Sequence, residues 1–131
     1  MSIANDSLLQ NLATLGFTLT DNLAANNATQ ALAFPLIGDF CRFLNAAANG
    51  TAILKSSLSN EAPPIVFVVN DSAQTMKVYC AIGETMSGVA NGSLAIPSGQ
   101  SGIFIRVPPA IAKGGGDVGT GVGDWRVAVI P

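Results

Sequence analysis

The spacing Gly114-x-Gly116-x-x-Gly119 is the nearest thing to a cofactor motif in this sequence. Such a turn cradles a pyrophosphate when it joins a strand to a helix and has an acidic residue about 20 positions further on. Here a predicted strand, Asp124–Ile130, follows the glycines instead of a helix. The same run, with Asp117 and Asp124, also matches one turn of a glycine–aspartate calcium coil, but that chemistry needs stacked copies to complete the oxygen shell. No cofactor and no metal are therefore expected. Paired carboxylates could protonate and attack a glycosidic bond, and Glu61, Asp71, Glu84, Asp117 and Asp124 are candidates by type. Most fall at predicted turns, where an acidic side chain usually faces water or caps the turn.

Cys41 and Cys80 could supply a nucleophile, but the chain contains no histidine, so neither has a conventional base. Buried thiols are the expectation for the pair, with a disulfide as the alternative. The same absence excludes a histidine-dependent triad and histidine-ligated zinc. Tyr79 and Trp125 could stack on a sugar, although a lone tryptophan in a terminal strand more often anchors a core or an interface. Lys55, Lys77 and Arg106 lie in predicted strands and should point outwards or reach across to a partner. The expectation is a protein without catalytic residues.

Charge narrows the classes further. Six Lys plus Arg against eight Asp plus Glu give a net charge of −2 over 131 residues, 49% of them apolar and only 11% charged. The cations are scattered, so a nucleic-acid partner held through phosphates is not expected. The longest strongly apolar run, Pro63–Val69, is strand-sized, so no membrane span is expected. Met1–Phe17 lacks a basic start and carries Asp6 and Gln10, which points to synthesis in a cytoplasm. The Asn-x-Ser/Thr triplets at Asn5, Asn27, Asn49, Asn70 and Asn91 follow from richness in those residues.

The elements that would position these residues divide near Gly50. Residues 1–50 are read as an arm and a helix, and residues 51–131 as an antiparallel β-domain. Ser7–Leu15 could form a short helix with Leu8, Leu9, Leu12 and Leu15 on one side, before Gly16 and the polar stretch Thr18–Asn27 interrupt it. Pro35–Asn49 places Leu36, Ile37, Phe40, Phe43, Leu44 and Ala47 at helical spacing, with Pro35 suited to a first turn and Gly50 to a left-handed stop. From Thr51 the turn signals recur about every ten residues, as in a β-meander. The predicted strands are Thr51–Lys55, Ile65–Asn70, Thr75–Ala81, Met86–Ala90, Ser93–Ile96, Gly102–Val107 and Asp124–Ile130. Asn91-Gly92 suits a tight hairpin between Met86–Ala90 and Ser93–Ile96. Pro108–Gly123, with six glycines, reads as an exposed excursion. The predicted fold class is mainly β, a small antiparallel barrel or sandwich preceded by an arm and one amphipathic helix.

Ile65–Val69 and Ile103–Ile105 are apolar at consecutive positions, so both faces of those strands must be covered. A facing sheet, the predicted helix or another copy of the chain could supply the second cover.

The apolar strand Ile65–Val69 is followed by Asn70-Asp71, Val78-Tyr79, Gly83-Glu84-Thr85-Met86, Asn91-Gly92, Ser98-Gly99-Gln100-Ser101-Gly102 and finally Trp125. This succession resembles a pattern in small tailed-bacteriophage virion proteins, over about half the chain, Pro64–Val107 plus the final strand. The resemblance implies a capsid decoration (cement) or head-fibre protein, located on the capsid surface, with the major capsid protein as partner and a homotrimer as assembly. It transfers no catalytic residues, and the Gly114–Gly123 loop with Lys113 lies outside it. On that expectation Leu8, Leu9, Leu12, Leu15 and Phe17 are candidates for docking on the capsid. Phe67, Val69, Ile103, Ile105 and Trp125 are candidates for contacts between subunits. The alternative is a host-surface or glycan-binding β module of a phage particle, using the Asp71–Gln74 and Pro108–Gly123 loops with Tyr79 or Trp125.

Overall fold

A computed structural model describes residues 19–36, 38–56, 63–107 and 123–131. The strands are β1 (Leu19–Ala25), β2 (Phe34–Pro35), β3 (Phe40–Ala46), β4 (Gly50–Ile53), β5 (Ile65–Asn70), β6 (Met76–Tyr79), β7 (Thr85–Met86), β8 (Val89–Ala90), β9 (Ser93–Ile96), β10 (Ser101–Val107) and β11 (Asp124–Ile130). They build a seven-stranded sheet in the order β1-β3-β5-β10-β11-β7-β8 and a four-stranded sheet in the order β2-β4-β6-β9. Side chains from both sheets meet in one core. Phe43, Val68, Phe104 and Trp125 enter it from the larger sheet, and Val78 and Ile96 from the smaller, all fully buried. The mainly-β expectation therefore holds, as a two-sheet sandwich.

The connectivity is not an antiparallel meander. From β1 to β6 consecutive strands alternate between the two sheets, and each pairs in parallel with the strand two places on: β1 with β3, β3 with β5, β2 with β4 and β4 with β6. This first part is a flattened parallel coil. It then reverses, with β9 antiparallel to β6, β10 antiparallel to β5, and β11 antiparallel to β10. In β5 the even residues Val66 and Val68 are buried in the core, while Ile65, Phe67 and Val69 are half-buried on the other face. Strands β1 and β3 precede Gly50 yet share a sheet with β5, β10 and β11, so the division near Gly50 falls inside the sandwich.

The helix predicted over Pro35–Asn49 is replaced by β2, a turn and β3. Gly38 has φ of 88°, which no continuous right-handed helix accommodates. In β3 the residues Phe40, Cys41, Arg42 and Phe43 are buried in succession, whereas a helix would have left Arg42 in water. Cys41 and Phe43 point to the core and Phe40 and Arg42 to the other face, so a two-sided strand imitated helical spacing. The left-handed residue at the next turn is Asn49, with φ of 58°. Gly50 itself is buried at the start of β4, where an added Cβ would lie 3.0 Å from that of Ala25 and 3.1 Å from that of Ala46. The polar stretch Thr18–Asn27, read as an interruption, contains β1. Its pairing with β3 shifts register near Asn22, itself at φ 57°.

Further along, β5, β9 and β11 have the predicted limits. The strand predicted over Met86–Ala90 is a tight pair, β7 with β8, and the hairpin predicted from Met86–Ala90 to Ser93–Ile96 is not formed. Instead β9 pairs with β6, and Pro97–Gln100 carries the chain from one sheet to the other. The leucine-striped segment Ser7–Leu15, Phe17 and most of the Pro108–Gly123 loop lie outside the described residues, as does Ile37.

Candidate interaction surface

Strand alternation sends the even members of β5 inward and the odd members outward. The register then assembles outward residues of four strands into rows. Phe40, Phe67, Ile103 and Ala128 stand side by side across β3, β5, β10 and β11. One row over come Arg42, Val69, Ser101 and Ile130, and on the other side Ile65, Ile105 and Arg126. Four of the five residues predicted at subunit contacts, Phe67, Val69, Ile103 and Ile105, thus lie together on the outer face of the larger sheet. Ile105 is 46% exposed and Ile130 42%, with Val107 at the next outward position of β10 also exposed. A contiguous apolar face of this kind on a small domain is a candidate contact surface.

Trp125, the fifth predicted contact, is corrected by the structure: it is fully buried in the core from the inward side of β11. Its indole N–H has no hydrogen-bond partner among the described residues. Tyr79 sits half-buried on the outward side of β6, in the other sheet, so the two aromatics do not form a joint sugar platform. Lys77 points outward as expected, whereas Arg106 stands in register with Trp125 on the inward side of β10, half-buried.

At the edge of the apolar face, Arg42 is buried and gripped by Asp21 of β1, with Nε–Oδ1 at 2.6 Å and Nη2–Oδ2 at 2.8 Å. Asp71 lies farther off, 3.9 Å from Nη1. The bidentate pair fastens the edge strand to β3 across the irregular register at Asn22. The hydrogen bond from Arg42 holds the Asp21 carboxyl below its usual value, against a small opposing effect of burial.

The remaining candidate chemistry is absorbed by structure. Asp124 accepts hydrogen bonds from the Thr85 hydroxyl at 2.6 Å and the Gly88 amide at 3.1 Å, and pairs with Arg126 at 2.9 Å. Burial pushes its carboxyl upward, but these partners together outweigh that and hold it below its usual value. Glu84 is buried and accepts from the Ser56 hydroxyl at 2.9 Å. Cys41 and Cys80 both lie in the core and are not joined by a disulfide. Burial pushes the Cys80 thiol up, away from the reactive thiolate. Among the described residues no group of three or more Cys, Asp or Glu side chains converges as a metal site would require. Glu61, Asp117 and the glycine run Gly114–Gly119 lie outside them. No helix among the described residues is long and apolar enough to cross a membrane.

Sequence reasoning missed the part played by Asn70. Fully buried at the end of β5, its amide donates to the carbonyls of Gln74 at 2.7 Å and Ile96 at 2.8 Å. Its Oδ1 accepts from the Ser72 amide at 3.1 Å and hydroxyl at 2.6 Å. Its backbone bonds Gln100 and Gly99, so Asn70-Asp71 and Ser98-Gly99-Gln100 form one structure. Gly83-Glu84 and Asn91-Gly92 meet in the same way: Asn91 Oδ1 accepts from Gly83 N, and Asn91 N donates to the Glu84 carbonyl. The signal was available, since alternation along Ile65–Asn70 puts Asn70 on the inward side, where a polar group must find partners.

Comparison of the chain with protein-family models, with curated protein sequences and with solved structures finds no match in any of the three. The fold and the surface define a β-sandwich with one apolar outer sheet face.

Proposed function

We propose that this protein is a non-enzymatic structural subunit of a tailed-bacteriophage particle, a capsid decoration (cement) or head-fibre protein. In this reading it associates with its own copies, as a homotrimer on the capsid surface, through the outer face of the seven-stranded sheet. Leu8, Leu9, Leu12, Leu15 and Phe17 are its contact with the major capsid protein. The observation that carries the proposal is the outward row Phe67, Ile103 and Ala128 with its apolar neighbours Val69, Ile105 and Ile130. Apolar area removed from water there contributes about 25 cal/mol per Å², which can stiffen a shell without any chemistry. The resemblance supplies the phage setting.

Burial of Trp125 leaves Tyr79, half-buried on the outward side of β6, as the aromatic contact of the glycan-binding alternative. The test is light scattering of the full chain at several concentrations, followed by reconstitution on undecorated capsids. A persistent trimer that binds and raises the melting temperature of the shells is the expected result. A monomer at all concentrations, with no gain in shell stability, would remove the proposal.

A further inference from the structure

We propose that Asn49 is a site of spontaneous deamidation, left open to that reaction by the fold, while Asn91, in the same Asn-Gly pairing, is protected from it. The inference does not rest on the function proposed above.

The reaction needs only the chain and water. The backbone nitrogen of the following glycine gives up its proton and attacks Cγ of the asparagine side chain. A C–N bond closes a five-membered imide, and the side-chain nitrogen leaves as ammonia. Water then opens the ring at either carbonyl, leaving aspartate or isoaspartate. Glycine is the most permissive neighbour because it carries no side chain to obstruct the ring. The chain contains two such pairs, Asn49-Gly50 before Thr51 and Asn91-Gly92 before Ser93.

The two are alike in backbone and differ in side chain. Asn49 and Asn91 both hold the left-handed conformation, at φ of 58° and 51°, and both are exposed. The attacking amides are also matched: Gly50 N donates to Ala47 O at 2.9 Å and Gly92 N to Val89 O at 3.2 Å. The group under attack decides between them. Asn91 is tied to the turn beside it, its Oδ1 accepting from Gly83 N at 2.8 Å and its own N donating to Glu84 O at 2.8 Å. Its Cγ swings to the Gly92 nitrogen only after the bond to Gly83 breaks. The Asn49 side chain makes no hydrogen bond with the described residues, in a turn where Ala47 and Ala48 are exposed too. Rotation about its Cα–Cβ bond is enough to present Cγ to the Gly50 nitrogen.

The product falls where the chain has no slack. Ala47 N donates to Ala25 O at 3.0 Å and Thr51 N to Asn26 O at 2.6 Å, so both ends of the turn hold the end of β1. Between them Gly50 is seated so closely that an added Cβ would lie 3.0 Å from that of Ala25. Isoaspartate adds one atom to the main chain inside this clamp. Reaction at Asn49 therefore loosens the hold on β1, an edge strand of the larger sheet.

The test incubates the full native chain in mildly alkaline buffer, with and without guanidinium chloride, and follows both sites by peptide mass spectrometry. In denaturant the two pairs should react at similar rates, which is the reference. In the folded chain Asn49 should react faster than Asn91 by about fivefold or more, because the bond to Gly83 must open first. Equal rates in the folded chain, a faster Asn91, or reaction at neither site without denaturant would overturn the proposal. A second arm uses Asn49→Gly, which accepts the left-handed conformation and has no amide to lose. This variant should keep its urea midpoint through the incubation, while that of the native chain falls in step with isoaspartate at position 49. A native chain that accumulates isoaspartate there with its midpoint unchanged would overturn the effect on β1.

Discussion

Replacing Asn70 with alanine should be among the most damaging changes to this fold that leave its apolar core untouched. The side chain is fully buried and makes four hydrogen bonds, two given and two received. Alanine strands the Gln74 and Ile96 carbonyls and deprives the Ser72 amide and hydroxyl of their acceptor. A buried polar group left unpaired costs about 1–3 kcal/mol. The Ser72 hydroxyl keeps Gln74 O at 3.1 Å, and Gln74 is exposed enough to recruit water, so the four losses are not fully additive. A net loss of about 3–5 kcal/mol follows, a large share of the about 5–15 kcal/mol that holds a domain together. With a urea slope of about 2 kcal/mol/M, the unfolding midpoint of Asn70→Ala should fall by about 2 M with the slope unchanged. Ser72→Ala should cost less, about 1–2 kcal/mol, and the double variant should show coupling above about 1 kcal/mol because both residues serve one network. A shift below about 0.5 M for Asn70→Ala, or strict additivity with Ser72→Ala, would refute this account of the turn.

Other outcomes follow from the same geometry. Because the Asp21 carboxyl is held below its usual value when folded, its contribution to stability is full above about pH 4 and is lost as pH falls through the folded value. The difference between the urea midpoints of the native chain and Asp21→Asn should therefore be full at pH 6 and shrink as pH falls below about 4, and a difference that does not change with pH would contradict the role given to the Arg42 pair. Ile105→Lys, on the outer face, should change stability by less than about 1 kcal/mol yet abolish self-association, read by light scattering and urea unfolding together. Trp125→Phe removes a buried donor that has no partner among the described residues, so calorimetry should show a loss of only about 1 kcal/mol, against about 3–5 kcal/mol for Trp125→Ala.

Local features could be read along the chain. Alternation and turn residues gave β5, β9 and β11 their limits, and the consecutive apolar residues of Ile65–Val69 raised the expectation of cover on both faces. Absence of histidine and scarcity of charge set aside whole classes of chemistry before any fold was known. Those are statements about neighbours along the chain, which period and composition report directly. The structure decided which strands are partners. Phe40–Phe43 has a spacing that suits either a helix or a strand buried on both sides, and only the parallel pairing with β1 and β5 settles which. Register is a relation between distant residues, so no local pattern could announce that Phe67, Val69, Ile103 and Ile105 share a face while Trp125 turns inward. Likewise Arg42 and Asp21, or Asn70 and Ile96, are brought together only when the coil closes and its sheets stack. A polar residue on a strand shows its need for a partner in the sequence, but the partner's identity is a property of the packed whole.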